Sequence, residues 1–133
     1  MIKTAFLHLD VHTEYSLGDS IVRVKELAET AKSMAMPAVA MTDLSNLYGG
    51  IKFIRACIDQ GVKPLLGVDV EVVENNGMPQ GRLILLCRNN AGYQHVCELL
   101  TNAYTLDADS ATVTIEFSEL SKGCGDLIAI SPS

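Results

Sequence analysis

An α/β fold is what this sequence predicts, on three observations. The segment Ala38-Val39-Ala40-Met41-Thr42 is short and continuously apolar, as in a parallel strand covered on both faces. Amphipathic stretches with three- and four-residue spacing separate such segments, and an Asn76-Gly77 turn joins two of them. The 133 residues suffice for one domain with its own core, and 48% apolar against 20% charged residues excludes a disordered chain.

The elements follow in order. Ala5 to Val11 alternates and runs into the polar loop Thr13-Glu14-Tyr15-Ser16, which predicts a first strand. Asp19 or Ser20 is placed to cap a helix carrying Ile21, Val24, Leu27, Ala28, Ala31 and Met34 on one face, ended by Pro37. After the strand at Ala38–Thr42, a second helix is expected from about Tyr48 to Gln60, with Ile51, Ile54, Cys57 and Ile58 buried and Gly61 as its C-terminal cap. Lys63–Val73 and Arg82–Cys87 read as two strands of a hairpin. Asn90–Tyr104 reads as a third helix, followed by an acidic loop near Asp107 to Ala111 and a short strand around Thr112–Ile115. A helical turn at Phe117–Leu120 and a last strand at Asp126–Ile130 complete the chain.

Alternating strands and helices form right-handed βαβ units, whose active sites lie at the strand C-termini. Five or six strands are too few for an eight-stranded barrel, and no helix follows the last one, so a fragment of a longer polypeptide is expected. No linker or internal repeat divides it. If the open edge is real, the fragment is expected to self-associate or exchange strands.

Composition excludes several functions. A formal net charge of -6 gives no broad basic surface for gripping a duplex. No apolar run approaches the roughly 20 residues that span a bilayer, and the N-terminus does not read as a secretion signal, so a cytoplasmic protein with no membrane partner is expected. Cys57, Cys87, Cys97 and Cys124 form no C-x-x-C pair, which argues against structural zinc and disulfides; the first three read as buried thiols.

The chemistry-bearing residues gather at predicted strand ends. Alternation puts His8, Asp10 and His12 on one side of the first strand, imidazole and carboxylate being suitable donors for zinc or manganese. Thr42-Asp43 ends the second strand, Asp69 lies in the third, and Asp19 follows the first loop. Each has a local alternative. The histidines can be hydrogen-bonded residues of a polar row, Asp19 a cap, Asp43 a turn residue and Asp69 a solvated edge carboxylate.

This set, in this order, resembles the PHP (polymerase and histidinol phosphatase) domain that begins bacterial DNA polymerase III alpha subunits. The resemblance runs through Phe6-Leu7-His8-Leu9-Asp10-Val11-His12-Thr13-Glu14-Tyr15-Ser16, then Met36-Pro37-Ala38-Val39-Ala40-Met41-Thr42-Asp43, Asn46-Leu47, Gly61-Val62-Lys63-Pro64-Leu65-Leu66-Gly67, and Leu85-Leu86-Cys87-Arg88-Asn89-Asn90-Ala91-Gly92-Tyr93. It implies that residues 1–133 are part of a distorted TIM-like barrel, truncated after about five or six strands, whose relatives hold a metal cluster at the strand ends. His12 matches the second histidine of the family's H-x-H pair, Asp10 stands in place of the first, and His8 matches an upstream histidine. Asp19 and Asp43 match acidic positions. Leu44 replaces the histidine of the family's T-D-H motif, and Asp69 stands where a glutamate is usual in G-x-E. Further ligands of the family would fall beyond Ser133.

Leucine has no donor atom, and even changes around a metal's ligands cost roughly 10–100-fold in affinity or activity. The resemblance therefore implies a degraded site, with at most weak binding of zinc, manganese or magnesium and no catalytic residue in this segment. The segment is expected to act as a scaffold, packed against the rest of the alpha chain and docking the proofreading exonuclease subunit. DNA would be contacted through the full-length protein, whose polymerase core outside this segment would use magnesium. The competing expectation is a metal-dependent phosphoesterase or exonuclease in which His8, Asp10, His12 and Asp69 activate water. A third is a small independent α/β binding module.

Overall fold

The computed structural model describes residues 5–106 and 112–132. The predicted acidic loop at 107–111 lies outside the described residues. The secondary structure is mixed α/β, as the sequence predicts, and the chain divides into two compact units, ending at Leu66 and beginning at Gly67.

The first unit holds α1 (Val24–Ser33), β1 (Ala38–Leu44), α2 (Gly50–Gln60) and the start of β2 (Lys63–Val73). Its core joins Val24, Ala28 and Ala31 of α1 to Phe53 and Cys57 of α2, with Val39 and Met41 of β1. Every residue from Ala38 to Asp43 is buried, as the unbroken apolar run requires. The Lys63 N–H donates to the Pro37 carbonyl, which sets the start of β2 beside the start of β1.

Three expectations are corrected in this unit. Ala5–Val11 is not a regular strand. It runs along β1 through bonds from the Ala40 N–H to the His8 carbonyl and from the Thr42 N–H to the Val11 carbonyl. Three residues on one side thus span two on the other, a mismatch of the bulge type that breaks strict alternation. Neither Asp19 nor Ser20 caps α1, which begins only at Val24 after Arg23, and Ile21 and Met34 are exposed. In α2 the buried face is Gly50, Phe53 and Cys57, while Ile51 and Ile58 are exposed. Phe53 supplies the larger apolar surface, and its position rotates the stripe away from both isoleucines. Gly61 does end α2, with φ 72.

The second unit is built on the rest of β2. It pairs antiparallel with β3 (Pro79–Cys87) and parallel with β4 (Thr114–Glu116), while β3 pairs antiparallel with β5 (Leu127–Ile130). The hairpin forms where the Asn-Gly turn predicts it, with Gly77 at φ 78, and β2 has the predicted bounds. α3 (Asn90–Leu106) buries Val96, Leu99, Leu100 and Ala103, and α4 (Phe117–Ser121) buries Leu120. Cys87 and Cys97 are only half-buried, so of the three expected buried thiols Cys57 alone is fully enclosed. Burial pushes the Cys57 thiol up to about 11, and Cys87 also to about 11.

α3 starts against the 3-10 turn that precedes β5. The Arg88 N–H donates to the Asp126 carbonyl, and the Asn89 side chain donates to the Asp126 carboxylate at 2.7 Å while accepting from the Gly92 N–H at 2.9 Å. A Cβ at Gly92 would lie 2.2 Å from the Asp126 carbonyl oxygen.

Candidate functional site

Asp43 is fully buried at the end of β1, and its carboxylate is used locally. Oδ1 accepts from the Thr13 N–H at 2.5 Å and from the Ser16 hydroxyl at 2.7 Å, and Oδ2 accepts from the Thr13 hydroxyl at 2.6 Å. Ser16 Oγ in turn accepts from the Leu44 N–H at 3.0 Å. Thr13 and Ser16 are themselves buried, so the loop after the first segment is fastened to the strand end by neutral donors around one carboxylate.

The Leu44 side chain has no atom that could ligate a metal at this strand end. After it Ser45 adopts φ 52, in the left-handed region, and Asn46 follows with its amide donating at 3.0 Å to both the Tyr15 and Leu44 carbonyls. At the rim, Lys52 bonds Glu14 at 3.1 Å and sits 5.7 Å from the centre of the Tyr15 ring. That hydrogen bond holds the Glu14 carboxyl below its usual range and raises Lys52.

His12 gathers two of the predicted carboxylates. Its Nδ1 donates to Asp19 at 2.5 Å, and its Nε2 lies 3.8 Å from Asp10 Oδ1. Asp10 also accepts from the Thr42 hydroxyl at 3.1 Å, and the Ser20 hydroxyl donates to the His12 carbonyl at 2.8 Å. Asp19 therefore orients an imidazole where the sequence offered a helix cap. His8 is displaced from this group, since the uneven register carries it to the apolar cleft lined by Val11, Val22 and Leu27, where its ring meets Phe6 edge-on at 4.8 Å.

In the second unit Asp69 is 1% exposed, so it is not a solvated edge carboxylate. Arg82 of β3 grips it: Nε donates to Oδ1 at 3.1 Å and Nη2 donates to Oδ2. Sequence reasoning did not single out Arg82. The signal was present, because the Asn76-Gly77 turn fixes the hairpin and pairs Glu71 with Arg82, one step along the same face from Asp69.

His12 and Asp10 present donor atoms at a spacing that suits one cation. Two ligands of one zinc-like ion with bonds of roughly 2.1 Å sit about 3.4 Å apart at a tetrahedral angle, so the 3.8 Å between His12 Nε2 and Asp10 Oδ1 is close to that span. The carboxylate on Nδ1 matches the carboxylate-histidine arrangement that fixes a ligand imidazole. Asp43 and Asp69, by contrast, already have both oxygens engaged, and Leu44 offers none.

The description "PHP domain" matches residues 8–133. DNA polymerase III subunit alpha of Pseudomonas aeruginosa is 38% identical over 129 residues, spanning 96% of this chain and 11% of that protein. The subunit of the same name from Pseudomonas fluorescens is 36% identical over 130 residues, with 96% and 11% covered. The chain thus spans about 11% of the length of these curated relatives. Among solved structures, a protein of Bifidobacterium adolescentis described as a metal-dependent phosphoesterase matches with TM-score 0.59 at 19% identity, over 77% of this chain and 34% of that one. An amidohydrolase from Chromobacterium violaceum, with bound sulfate and no metal, matches with TM-score 0.54 at 19% identity, over 81% and 40%. These two likenesses concern the fold. The matched family model and the local motifs agree, and this chain belongs to the PHP domain family.

Proposed function

We propose that residues 1–133 are the N-terminal portion of the PHP domain of a bacterial DNA polymerase III alpha subunit, acting as a scaffold rather than a phosphoesterase. In that role the segment packs against the rest of the alpha chain and docks the proofreading exonuclease subunit in the cytoplasm. DNA is bound, and magnesium used, by the polymerase core. His8, Asp10, His12, Asp19, Asp43 and Asp69 are the remains of a metal site whose lost ligand position is Leu44.

The observation that carries the reading is the engagement of Asp43 by Thr13 and Ser16, beside a leucine with no donor. A hydrolytic centre needs carboxylates open to metal and water, and this one is closed by its own loop. The polymerase assignment is supported by the named relatives at 36–38% identity. The docking role is tested by measuring association of the full-length chain with its cognate exonuclease subunit. Micromolar or tighter binding that is lost when residues 1–133 are replaced is expected, and undiminished binding after replacement refutes it.

A second reading, a metal-dependent phosphoesterase or exonuclease, is favoured by one observation, the orientation of His12 by Asp19 beside Asp10. If that group still served catalysis, the protein would carry stoichiometric zinc or manganese. His12→Ala would then abolish both the metal and phosphatase activity. The scaffold reading expects substoichiometric metal and no phosphatase activity in either form. Self-association of the isolated segment through its open strand edge is a further expectation, tested by light scattering.

A further inference from the structure

Asp69 is 1% exposed, and a buried carboxylate needs a cation or several donors to remain charged. Arg82 supplies a planar two-donor fork that meets both oxygens, while its own side chain is 49% exposed. A guanidinium keeps its charge at any pH a protein meets and cannot act as a metal ligand, unlike the imidazole or carboxylate that would otherwise suit this place. The geometry is that of neighbouring strands in one hairpin, where β3 aligns Arg82 with Glu71 and Ile84 with Asp69.

We infer that Arg82 is the resident cation of Asp69: its guanidinium sets a fixed positive charge against both carboxylate oxygens, so that the β2–β3 hairpin is stable without metal and a divalent ion is repelled from Asp69. The inference rests on β2 and β3 alone, so it stands or falls separately from the docking role.

Hydrogen exchange of the β2 and β3 amides, read by mass spectrometry in the full-length chain, tests it. Wild-type protection is expected to be unchanged by chelator or by millimolar manganese. In chelator, R82Q should exchange these amides at least tenfold faster, because the two-donor guanidinium on the buried carboxylate is lost, and manganese should restore part of the protection. The double variant D69N/R82Q, which removes both charges, should regain protection relative to R82Q and lose the response to manganese. It also keeps the test readable if R82Q folds poorly. Wild type that loses protection in chelator overturns the inference. So does R82Q that stays fully protected there, or that is indifferent to manganese.

Discussion

Asp43 and Asp69 are equally hidden from water, yet opposite chemistries satisfy them. Asp43 sits among a backbone N–H and two hydroxyls from one short loop, all neutral, whereas Asp69 meets the guanidinium of Arg82 on the neighbouring strand. Neutral donors fix position, because each must approach along its own direction. A guanidinium fixes charge first and tolerates more movement, since the Arg82 side chain that carries it is half exposed. The loop around Asp43 should therefore be the stiffer arrangement and the Asp69 pair the more salt-sensitive one.

The most severe way to break this contrast is Asp43→Ala, which leaves the Thr13 N–H and two hydroxyls buried without their acceptor. A loss of about 3–5 kcal/mol is expected from the midpoint of urea unfolding, with little dependence on ionic strength. Arg82→Ala should cost less, about 2–3 kcal/mol, because water can reach the vacated side of Asp69. Its effect should shrink when Asp69→Asn is added, and a double-mutant cycle that is additive would show the pair to be energetically uncoupled. Ser16→Ala removes one hydroxyl that both donates to Asp43 and accepts from Leu44, and about 1–2 kcal/mol is expected by the same unfolding measurement.

The smallest effect belongs to Glu14. Its carboxyl is held below the ordinary 4.5, first by the hydrogen bond from Lys52. A depressed carboxyl contributes stability that is present above 4.5 and is lost as pH falls through the lower folded value. Glu14→Gln should therefore leave neutral stability close to wild type and flatten the acid limb of the stability curve slightly, an effect that added salt erases.

Much of the fold was legible because its signals are local. The unbroken apolar run of β1, the Asn76-Gly77 turn and the left-handed Gly61 each decide a structure within a few residues. The start of the chain was not. Alternation in Ala5–Val11 predicts a strand, but the partner offers bonds only at Ala40 and Thr42, and the uneven spacing sends His8 to a cleft while leaving Asp10 beside His12. Local pattern offers Asp19 as a cap, the common fate of an aspartate before a helix, and the family resemblance offers it as an acidic site position. Its actual partner, His12, lies seven residues back across a loop whose shape no local pattern specifies. The carboxylates were found by motif, but their states depend on Thr13, Ser16 and Arg82, residues that carry no metal chemistry and so attract no notice.

Gly92 sets a different kind of constraint. Its φ lies outside the left-handed region, so torsion alone would admit any residue there, yet a Cβ would sit 2.2 Å from the Asp126 carbonyl oxygen. In a library randomised at this position, glycine alone should survive selection for the folded chain. A helix start can thus be as unforgiving as a catalytic position while touching no ligand, and an invariant glycine there would record a distance between two backbones.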